Sequence, residues 1–286
     1  MDKKNAALLS IISNTFLIIF KVIAGVAMGS VGVISEAIHS SIDLLASIIA
    51  FFSIRKASKP EDSDHPFGHG KYENVSGFVE AILILIAAVI IIYEAIHKLI
   101  NGASVINIEA GIIVMLVSSL VNLFISLALL KISKKTKSIA LEADAMHLLT
   151  DVFTSLGVFV GLILLKLTHI QLLDPIVALV VASLIIKASI DLTKKSLVDL
   201  VDGSLPKEDI DTIVNILNSH SEITSFHRLR TRKCGQTREV DIHLRVDKDS
   251  SLIEAHNLSS HIEMEIKRAF PESYIVVHLE PEKVQI

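Results

Sequence analysis

Apolar residues form six long runs in the first two thirds of the chain and only short runs after them. The long runs lie at about residues 6–28, 31–54, 75–97, 108–130, 140–166 and 174–193. Each run is close to the ~20 residues that a helix needs to cross about 30 Å of hydrocarbon, where lipid offers an irregular backbone no hydrogen-bond partners. The pattern therefore predicts six membrane-spanning helices.

The pattern changes near Leu205, where charged residues become frequent and the apolar runs shorten. Gly203–Pro206 has the composition of a linker. After it, KEDIDTIVNILNSH and SLIEAHNLSSHIEMEIKRAF have a helical period, whereas FHRLRTRK, EVDIHLRV and YIVVHLE are typical of strands. We expect a transmembrane domain at residues 1–203 and a small α/β sandwich, with the order αββαβ, at residues 204–286.

The composition supports a membrane protein, because hydrophobic residues make up 51% of the 286 residues and the mean hydropathy is +0.58. The net charge of −4 argues against a nucleic-acid partner. The single cysteine, Cys234, excludes an internal disulfide and is typical of a protein that faces a reducing cytosol.

The basic residues predict the orientation, because cytoplasmic loops of membrane proteins are enriched in Lys and Arg. Most basic residues near the runs share one side of the predicted membrane: Lys3, Lys4, Arg55, Lys56, Lys59, Lys71, Lys131, Lys134, Lys135, Lys137, Lys194 and Lys195. Lys98 and Lys166 are nearly alone on the other side. We expect a multi-pass protein of the inner or plasma membrane with both termini in the cytoplasm.

One pattern of polar residues occurs twice inside the apolar runs. AIHSSIDLLAS at 37–47 and AMHLLTDVFTS at 145–155 share A-x-H-x-x-x-D-x-x-x-S. His39 and Asp43 on the second helix, and His147 and Asp151 on the fifth, therefore each lie one turn apart. An ionisable side chain at the bilayer centre costs roughly 2.5–3.5 kcal/mol, so something must compensate. Two imidazoles and two carboxylates suffice for a tetrahedral shell around a borderline-soft divalent ion, and Zn²⁺ fits best.

The same residues predict a coupling to protons. Only deprotonated groups bind a metal, and an empty site would leave two buried negative charges, so metal movement is linked to proton movement in the opposite direction. The alternative is that each His–Asp pair is a hydrogen bond that holds the helices together. Glu36 and Asp144, three residues before the histidines, are hypothesised to line the entry and exit of the site, with solvation of a helix end as the alternative.

Further histidines lie outside the apolar runs. Asp62, His65 and His69 in EDSDHPFGHGKYE are a candidate metal-binding loop, with an ordinary polar loop as the alternative. The soluble domain has candidates on its strands and its long helix, which the sequence alone does not bring together: His227, His243, His256, His278 and Glu280. His261 points away from His256 around the helix and is set aside, together with His97, His169 and His220.

Several segments resemble, in order, the motifs of bacterial cation diffusion facilitators: GSVGVISEAIHSSID, HPFGHGKYE, EADAMHLLTDVFTS, LVDGSLP, HRLRTR, DIHLRV, EAH and VVHLEP. The resemblance covers nearly the whole chain. It implies a homodimeric metal/proton antiporter, not an enzyme, with a bundle of six transmembrane helices and a C-terminal cytoplasmic ferredoxin-like domain.

The resemblance also implies three sets of metal ligands. The transport site would be formed by His39, Asp43, His147 and Asp151, and the loop site by Asp62, His65 and His69. A two-metal site at the dimer interface would be formed by His227, His243, His256, His278 and Glu280. Lys71 and Asp202 match a pair that ties the membrane and soluble domains together in relatives.

Two positions depart from the family pattern. In the relatives that this chain most resembles in its loop and C-terminal domain, the positions of His39 and Glu280 are commonly Asp. His39 gives the transport shell two nitrogen and two oxygen donors. Such a shell is similar to that of the zinc-preferring branch and differs from the carboxylate-rich shells that suit manganese. We expect Zn²⁺ export, with Cd²⁺, Co²⁺ and Fe²⁺ as further ions that such a shell can hold. The open alternatives are antiport of mainly Mn²⁺ or Fe²⁺, and a metal sensor or passive channel.

Overall fold

The structure, a computed structural model, describes residues 2–28, 31–101, 109–168 and 172–282. Six long helices come first in the chain, and the side chains of Glu36 and His39 within the second of them lie outside the described set. The helices are α1 (Lys3–Met28), α2 (Val31–Ala57), α3 (Lys71–Asn101), α4 (Glu109–Thr136), α5 (Ile139–Thr168) and α6 (Leu173–Leu200). The prediction of six long apolar helices is confirmed.

Four segments of the described residues are both long and apolar enough to cross a membrane. They are Lys3–Ala27, Lys71–His97, Leu116–Thr136 and Pro175–Leu200. These segments belong to α1, α3, α4 and α6. The other two long helices, α2 and α5, are the ones that carry the two His–Asp pairs.

The first helix has its apolar side outside and its polar side inside. Phe16, Ile19, Ile23 and Val26 recur at helical spacing and are each more than half exposed. The opposite face is buried and carries polar groups at the same spacing, at Ser10, Asn14 and Lys21. Such a helix suits a surrounding lipid phase, because hydrocarbon favours apolar contact whereas polar groups need partners inside the bundle.

Small side chains allow close packing among the helices. Ala6 and Ala7 of α1 pack with Ala140 and Ala145 of α5 in a buried cluster that also contains Leu129 of α4. Small residues at helix contacts are typical of membrane bundles, because they let the backbones approach each other. Direct contacts join α1 to α2, α4 to α5 and α2 to α5, so that the two motif-bearing helices are neighbours.

The remaining two long helices, α3 and α6, contact each other through a second buried cluster. Ala81, Ile84 and Ala88 of α3 pack against Ile185 and Leu192 of α6, with Ala143 of α5 in the same cluster. The Ser189 hydroxyl of α6 donates a hydrogen bond of 2.7 Å to the backbone carbonyl of Ala81.

The C-terminal part has the predicted order αββαβ. Its elements are α7 (Lys207–Asn218), β1 (Ser225–Cys234), β2 (Thr237–Val246), α8 (Leu252–Ala269) and β3 (Ser273–Pro281). Strand β2 lies in the middle of the sheet, antiparallel to β1 and parallel to β3. The core is formed by one face of this sheet and by Ile213 and Leu217 of α7 and Ile262 and Ile266 of α8. The predicted α/β sandwich is confirmed.

The chain divides into two compact units. One comprises residues 1–59 and 72–197, and the other comprises residues 60–71 and 198–286. The segment 60–71, which we call the histidine loop, therefore packs with the C-terminal elements although it joins two long helices. The sequence placed it within a domain of residues 1–203, and that domain boundary stays a prediction.

Candidate metal centres

The two motif-bearing helices bring one carboxylate and one imidazole together in the interior. Asp43 of α2 and His147 of α5 are 3% and 5% exposed, and Asp43 Oδ1 lies 3.0 Å from His147 Nε2. The other ring nitrogen, Nδ1, is buried and has no hydrogen-bond partner among the described residues. The predicted meeting of the second and fifth helices is thus observed for one residue of each pair.

Asp151 and His39 are the other two residues of the predicted shell, and the structure describes the side chain of Asp151 only. Asp151 lies one turn after His147 on α5, and its Oδ2 accepts a long hydrogen bond of 3.4 Å from the Asn122 amide of α4. His39 lies one turn before Asp43 on α2, but its side chain is outside the described residues. Asn122 was not predicted, because nothing in the sequence of α4 indicates which of its faces meets α5.

A buried hydrogen-bond network adjoins this pair. The Ser47 hydroxyl of α2 donates to Asp144 Oδ1 at 2.9 Å, accepts from the Asn14 amide at 2.8 Å and lies 2.9 Å from Ser10 Oγ. Asp144 is fully buried, so solvation of a helix end does not explain this carboxylate. The hypothesis that Asp144 lines the entry to the site stays open, and Glu36 has no described side chain.

Two more ionisable side chains are buried in the bundle without having been singled out in the sequence. Lys21 of α1 is 6% exposed, and its ammonium donates a 2.8 Å hydrogen bond to Ser40 of α2, one residue after His39. Glu80 of α3 is fully buried and accepts a 2.9 Å hydrogen bond from Ser76. A buried cation beside the His–Asp helices reduces the cost of their carboxylates.

The histidine loop brings its three predicted residues together. Asp62 bridges the two imidazoles, with Oδ1 3.1 Å from His65 Nδ1 and Oδ2 3.3 Å from His69 Nε2. The backbone N–H of His65 also donates to Asp62, and His69 is 3% exposed with Nδ1 3.2 Å from the Pro60 carbonyl. Burial opposes ionisation of Asp62, but the N–H of His65 and the two imidazoles outweigh it and lower the pKa of this carboxyl.

The histidine loop is fixed to the turn between β1 and β2. The Cys234 thiol, at the end of β1 and 7% exposed, donates to the Phe67 carbonyl at 3.4 Å. A side chain at Gly70 would come within 2.6 Å of the Cys234 carbonyl, so only glycine permits this approach. Lys71 then pairs with Asp202 at 2.6 Å, and Asp202 also contacts Arg232 of β1 at 3.3 Å.

Three histidines form one row across the sheet. His227, His243 and His278 are direct neighbours on β1, β2 and β3. Glu280 lies 2.9 Å from His243 Nδ1, 3.4 Å from His227 Nε2 and 3.9 Å from His278 Nε2. The sequence could not predict this row, because it depends on the register of all three strands.

Electrostatics favour an ionised Glu280 in this row. The hydrogen bond with His243 and the nearby His227 lower the pKa of the Glu280 carboxyl. Burial lowers the pKa of His227, with Arg245 and His243 acting in the same direction, so that its neutral, metal-binding form is favoured. Among the described residues, the ligand atoms of His227, His243 and Glu280 lie within 4.8 Å of one another. The exposed His256 of α8 and His278 do not belong to that group.

The donor distances suit a small divalent ion. A tetrahedral shell with bonds of about 2.0–2.1 Å places neighbouring donor atoms roughly 3.3–3.4 Å apart. The separations of 3.1 and 3.3 Å in the histidine loop, and of 2.9 and 3.4 Å in the sheet, are close to this value. Both clusters offer imidazole nitrogen and carboxylate oxygen, which borderline ions such as Zn²⁺ accept.

Comparison with known families matches two models in the order of the two predicted domains. Residues 7–201 match the cation efflux transmembrane domain, and residues 205–282 match the cytoplasmic domain of cation efflux proteins. The chain belongs to this family, the cation diffusion facilitators. It is therefore a cation efflux transporter of the membrane and not an enzyme, as the sequence predicted.

Relatives of this cation diffusion facilitator cover nearly its full length. An uncharacterized transporter of Synechocystis is 34% identical over 88% of this chain and 82% of its own length. The cation-efflux pump FieF of Shewanella oneidensis is 30% identical over 99% and 95% of the two chains. The manganese efflux system protein MneP of Bacillus subtilis is 31% identical over 97% and 96%. The family matches support dimer formation and a divalent metal ion as ligand.

Proposed function

We propose that this transporter exports Zn²⁺ from the cytoplasm in exchange for protons, by alternating access to a site formed by His39, Asp43, His147 and Asp151. The observation that carries the proposal is the buried contact of 3.0 Å between Asp43 of α2 and His147 of α5. A carboxylate and an imidazole that meet in the interior of a membrane bundle are a rare and costly arrangement, which a function must justify.

Proton exchange follows from what this pair does when no metal is bound. His147 and Asp43 are close enough to share a proton, which a divalent ion must displace because only deprotonated groups coordinate it. When the ion leaves, the return of a proton to the pair avoids an uncompensated carboxylate in a medium of low polarity. Metal and protons therefore compete for the same atoms, as antiport requires.

The donor set favours zinc as the main cargo. Two imidazoles and two carboxylates are typical ligands of Zn²⁺, and Cd²⁺, Co²⁺ or Fe²⁺ can use the same shell. Manganese is the second candidate, because one relative that covers nearly the whole chain is named a manganese efflux protein.

The metal clusters of the second unit have a supporting role in this proposal. The sheet cluster, which consists of His227, His243 and Glu280 with the neighbouring His278, would be completed by His256 and bind metal at the interface of a homodimer. The histidine loop would bind a further ion. Both termini and the C-terminal domain would face the cytoplasm of a cell whose inner or plasma membrane holds the helices, as the distribution of basic residues indicates.

The test is uptake of Zn²⁺ into vesicles that contain the purified chain, with and without a pH gradient. We expect uptake only with the gradient, and its loss in Asp43→Asn and in Asp151→Asn. The matched control is Glu94→Gln, which changes an exposed carboxylate of α3 and should transport as wild type. Thermal unfolding in detergent shows whether each variant is folded.

Three other outcomes would contradict the proposal. Uptake that is indifferent to the pH gradient indicates a passive channel. Binding of Zn²⁺ without uptake indicates a sensor. Faster uptake of Mn²⁺ than of Zn²⁺, in the same gradient, would replace zinc by manganese as cargo.

A further inference from the structure

A third cluster of metal-ligating side chains lies in the C-terminal unit, apart from the histidine loop and from the sheet cluster. It consists of His220, His261 and Glu265, whose ligand atoms all lie within 4.8 Å of one another. Both histidines are among the four set aside on sequence grounds. No proposed step of transport uses these residues.

Two elements of the fold bring the three residues together. His261 and Glu265 are four residues apart on α8, so they share one face of the helix. His220 lies in the turn between α7 and β1, where its N–H donates to Leu217 and its carbonyl accepts from Ile223. Because the backbone on both sides of His220 is hydrogen-bonded, its imidazole is held in place against α8.

The geometry of the cluster suits a metal ion. Glu265 points one carboxylate oxygen to each ring, with 3.1 Å to His220 Nε2 and 3.3 Å to His261 Nε2. The ring centroids are 5.3 Å apart and the ring planes are nearly perpendicular. These separations are close to the roughly 3.3–3.4 Å between neighbouring ligands of a tetrahedral zinc site. The exposed side of His261 leaves room for water as a further ligand.

The groove beside the cluster attracts cations, although the Arg268 guanidinium also acts on Glu265. Both histidines line an open groove of about 790 Å³, and four carboxylates line the same groove: Glu222, Asp247, Asp249 and Glu254. The described lining contains no Lys or Arg. A concave surface lined by charge of one sign raises the local concentration of the opposite ion.

We propose that His220, His261 and Glu265 bind a borderline divalent transition-metal ion, such as Zn²⁺, Co²⁺ or Ni²⁺, within a single protomer. The ion ties the α7–β1 turn to α8 and so stabilises the C-terminal domain independently of dimerisation. Two imidazoles and one carboxylate, with positions left for water, are a donor set that such ions accept and that Mg²⁺ and Ca²⁺ do not favour.

Hydrogen exchange of the full chain in detergent, with Zn²⁺ or with a chelator, tests the bridge directly. Zn²⁺ should slow the exchange of two separate segments, residues 216–224 and residues 258–268. In His261→Gln the protection of residues 216–224 should disappear, although the substitution lies on the other element. Glu265→Gln should behave alike, whereas Glu263→Gln, a carboxylate two residues away on α8, should keep the protection of both segments.

Metal analysis provides a second measurement. After equilibration with Zn²⁺ and removal of free ion, His220→Gln and His261→Gln should each hold one equivalent fewer per chain than Glu263→Gln. Unchanged stoichiometry together with unchanged exchange at residues 216–224 would overturn the proposal and leave a hydrogen-bonded surface cluster. Protection of α8 alone by Zn²⁺ in wild type, with the exchange of residues 216–224 unaffected, would show binding without a bridge and would also overturn the proposal.

Discussion

At the scale of single residues, the bundle interior shows how a membrane protein keeps polar side chains buried. Ser47 of α2 is the centre of the network beside the His–Asp pair, because it contacts Ser10 and Asn14 of α1 and Asp144 of α5. The hydroxyl supplies the hydrogen bond that compensates one oxygen of a fully buried carboxylate. The network joins α1, α2 and α5 beside Asp43 and His147, and so helps to hold this pair in position.

Ser47→Ala should therefore destabilise the chain. The substitution removes one hydrogen-bond donor to Asp144 and one acceptor of the Asn14 amide. An unsatisfied buried polar group costs about 1–3 kcal/mol. Thermal unfolding in detergent should show a lower midpoint for Ser47→Ala. Ser41→Ala is the matched control on the same helix, because Ser41 is exposed and donates to the Ala37 carbonyl within its own helix. Equal midpoints for the two variants would contradict this role.

A charged residue of the second unit allows a prediction on pH. The hydrogen bond from Lys71, and the charges of Lys71 and Arg232, lower the pKa of the Asp202 carboxyl. Because the folded-state pKa is depressed, the stabilisation is present above the unfolded pKa of about 3.9 and is lost as the pH falls through the folded value. Asp202 is half exposed, so the effect is within about 1 kcal/mol.

Asp202→Asn should thus lower the unfolding midpoint by a constant amount between pH 5 and 8, and by less at pH 3. The control is Asp241→Asn, which removes the partner of Arg230 in a pair whose Arg is 75% exposed, and a smaller effect is expected there. A difference between wild type and Asp202→Asn that grows towards acid pH would show that the sign is wrong.

At the scale of elements, the histidine loop is held by backbone contacts as much as by ion pairs. Gly70 and Gly235 approach each other so closely that a Cβ on either would lie 2.6–3.0 Å from backbone atoms of the other segment. Backbone atoms cannot move aside as a flexible side chain can. The loop that carries Asp62, His65 and His69 therefore depends on two glycines outside the cluster itself.

Gly70→Ala should release the histidine loop from the β1–β2 turn. The reactivity of Cys234, the single cysteine, measures this release. In wild type the thiol is buried against Phe67, and burial raises the pKa of Cys234, so reaction with a maleimide should be slow. We expect labelling at least tenfold faster in Gly70→Ala. Gly68→Asn is the control, because Gly68 has φ +78°, which Asn tolerates, and a Cβ there would lie 3.9 Å from Glu61 Cγ, an ordinary van der Waals contact. Slow labelling in both variants would contradict the role of Gly70.

The sequence predicted the elements well and their contacts only in part. The hydrophobic runs predicted six long helices, and the helical and alternating patterns after them predicted the αββαβ order, because each of these signals is local in the chain. The meeting of α2 with α5 was predictable from the repeated motif. The partners of Asp144 and Asp151, the row of His227, His243 and His278, and the contact of His220 with α8 depend on packing between distant segments, which no local pattern contains.

At the scale of the whole molecule, ionisable clusters occur in both compact units but serve different ends in our proposal. The pair in the bundle must bind and release its ion within each transport cycle, so its metal complex cannot be very stable. The sheet cluster can hold its ion permanently, because neither His243 nor Glu280 has to change its environment. Zinc bound only by the folded state adds about 2.7 kcal/mol of stability at a hundred times its dissociation constant.

Removal of one sheet ligand should separate these two roles. In His243→Gln the middle of the row is lost, so the rise in the unfolding midpoint on adding Zn²⁺ should shrink by roughly the equivalent of this 2.7 kcal/mol. Uptake of Zn²⁺ into vesicles should persist, because Asp43 and His147 are unchanged. His97→Gln, on α3 and outside all clusters of described residues, should keep both the full zinc-dependent shift and the uptake. If His243→Gln keeps the full shift, the sheet cluster does not bind the ion. If instead it loses all uptake while it remains folded, metal in the C-terminal domain is required for transport itself and not only for stability.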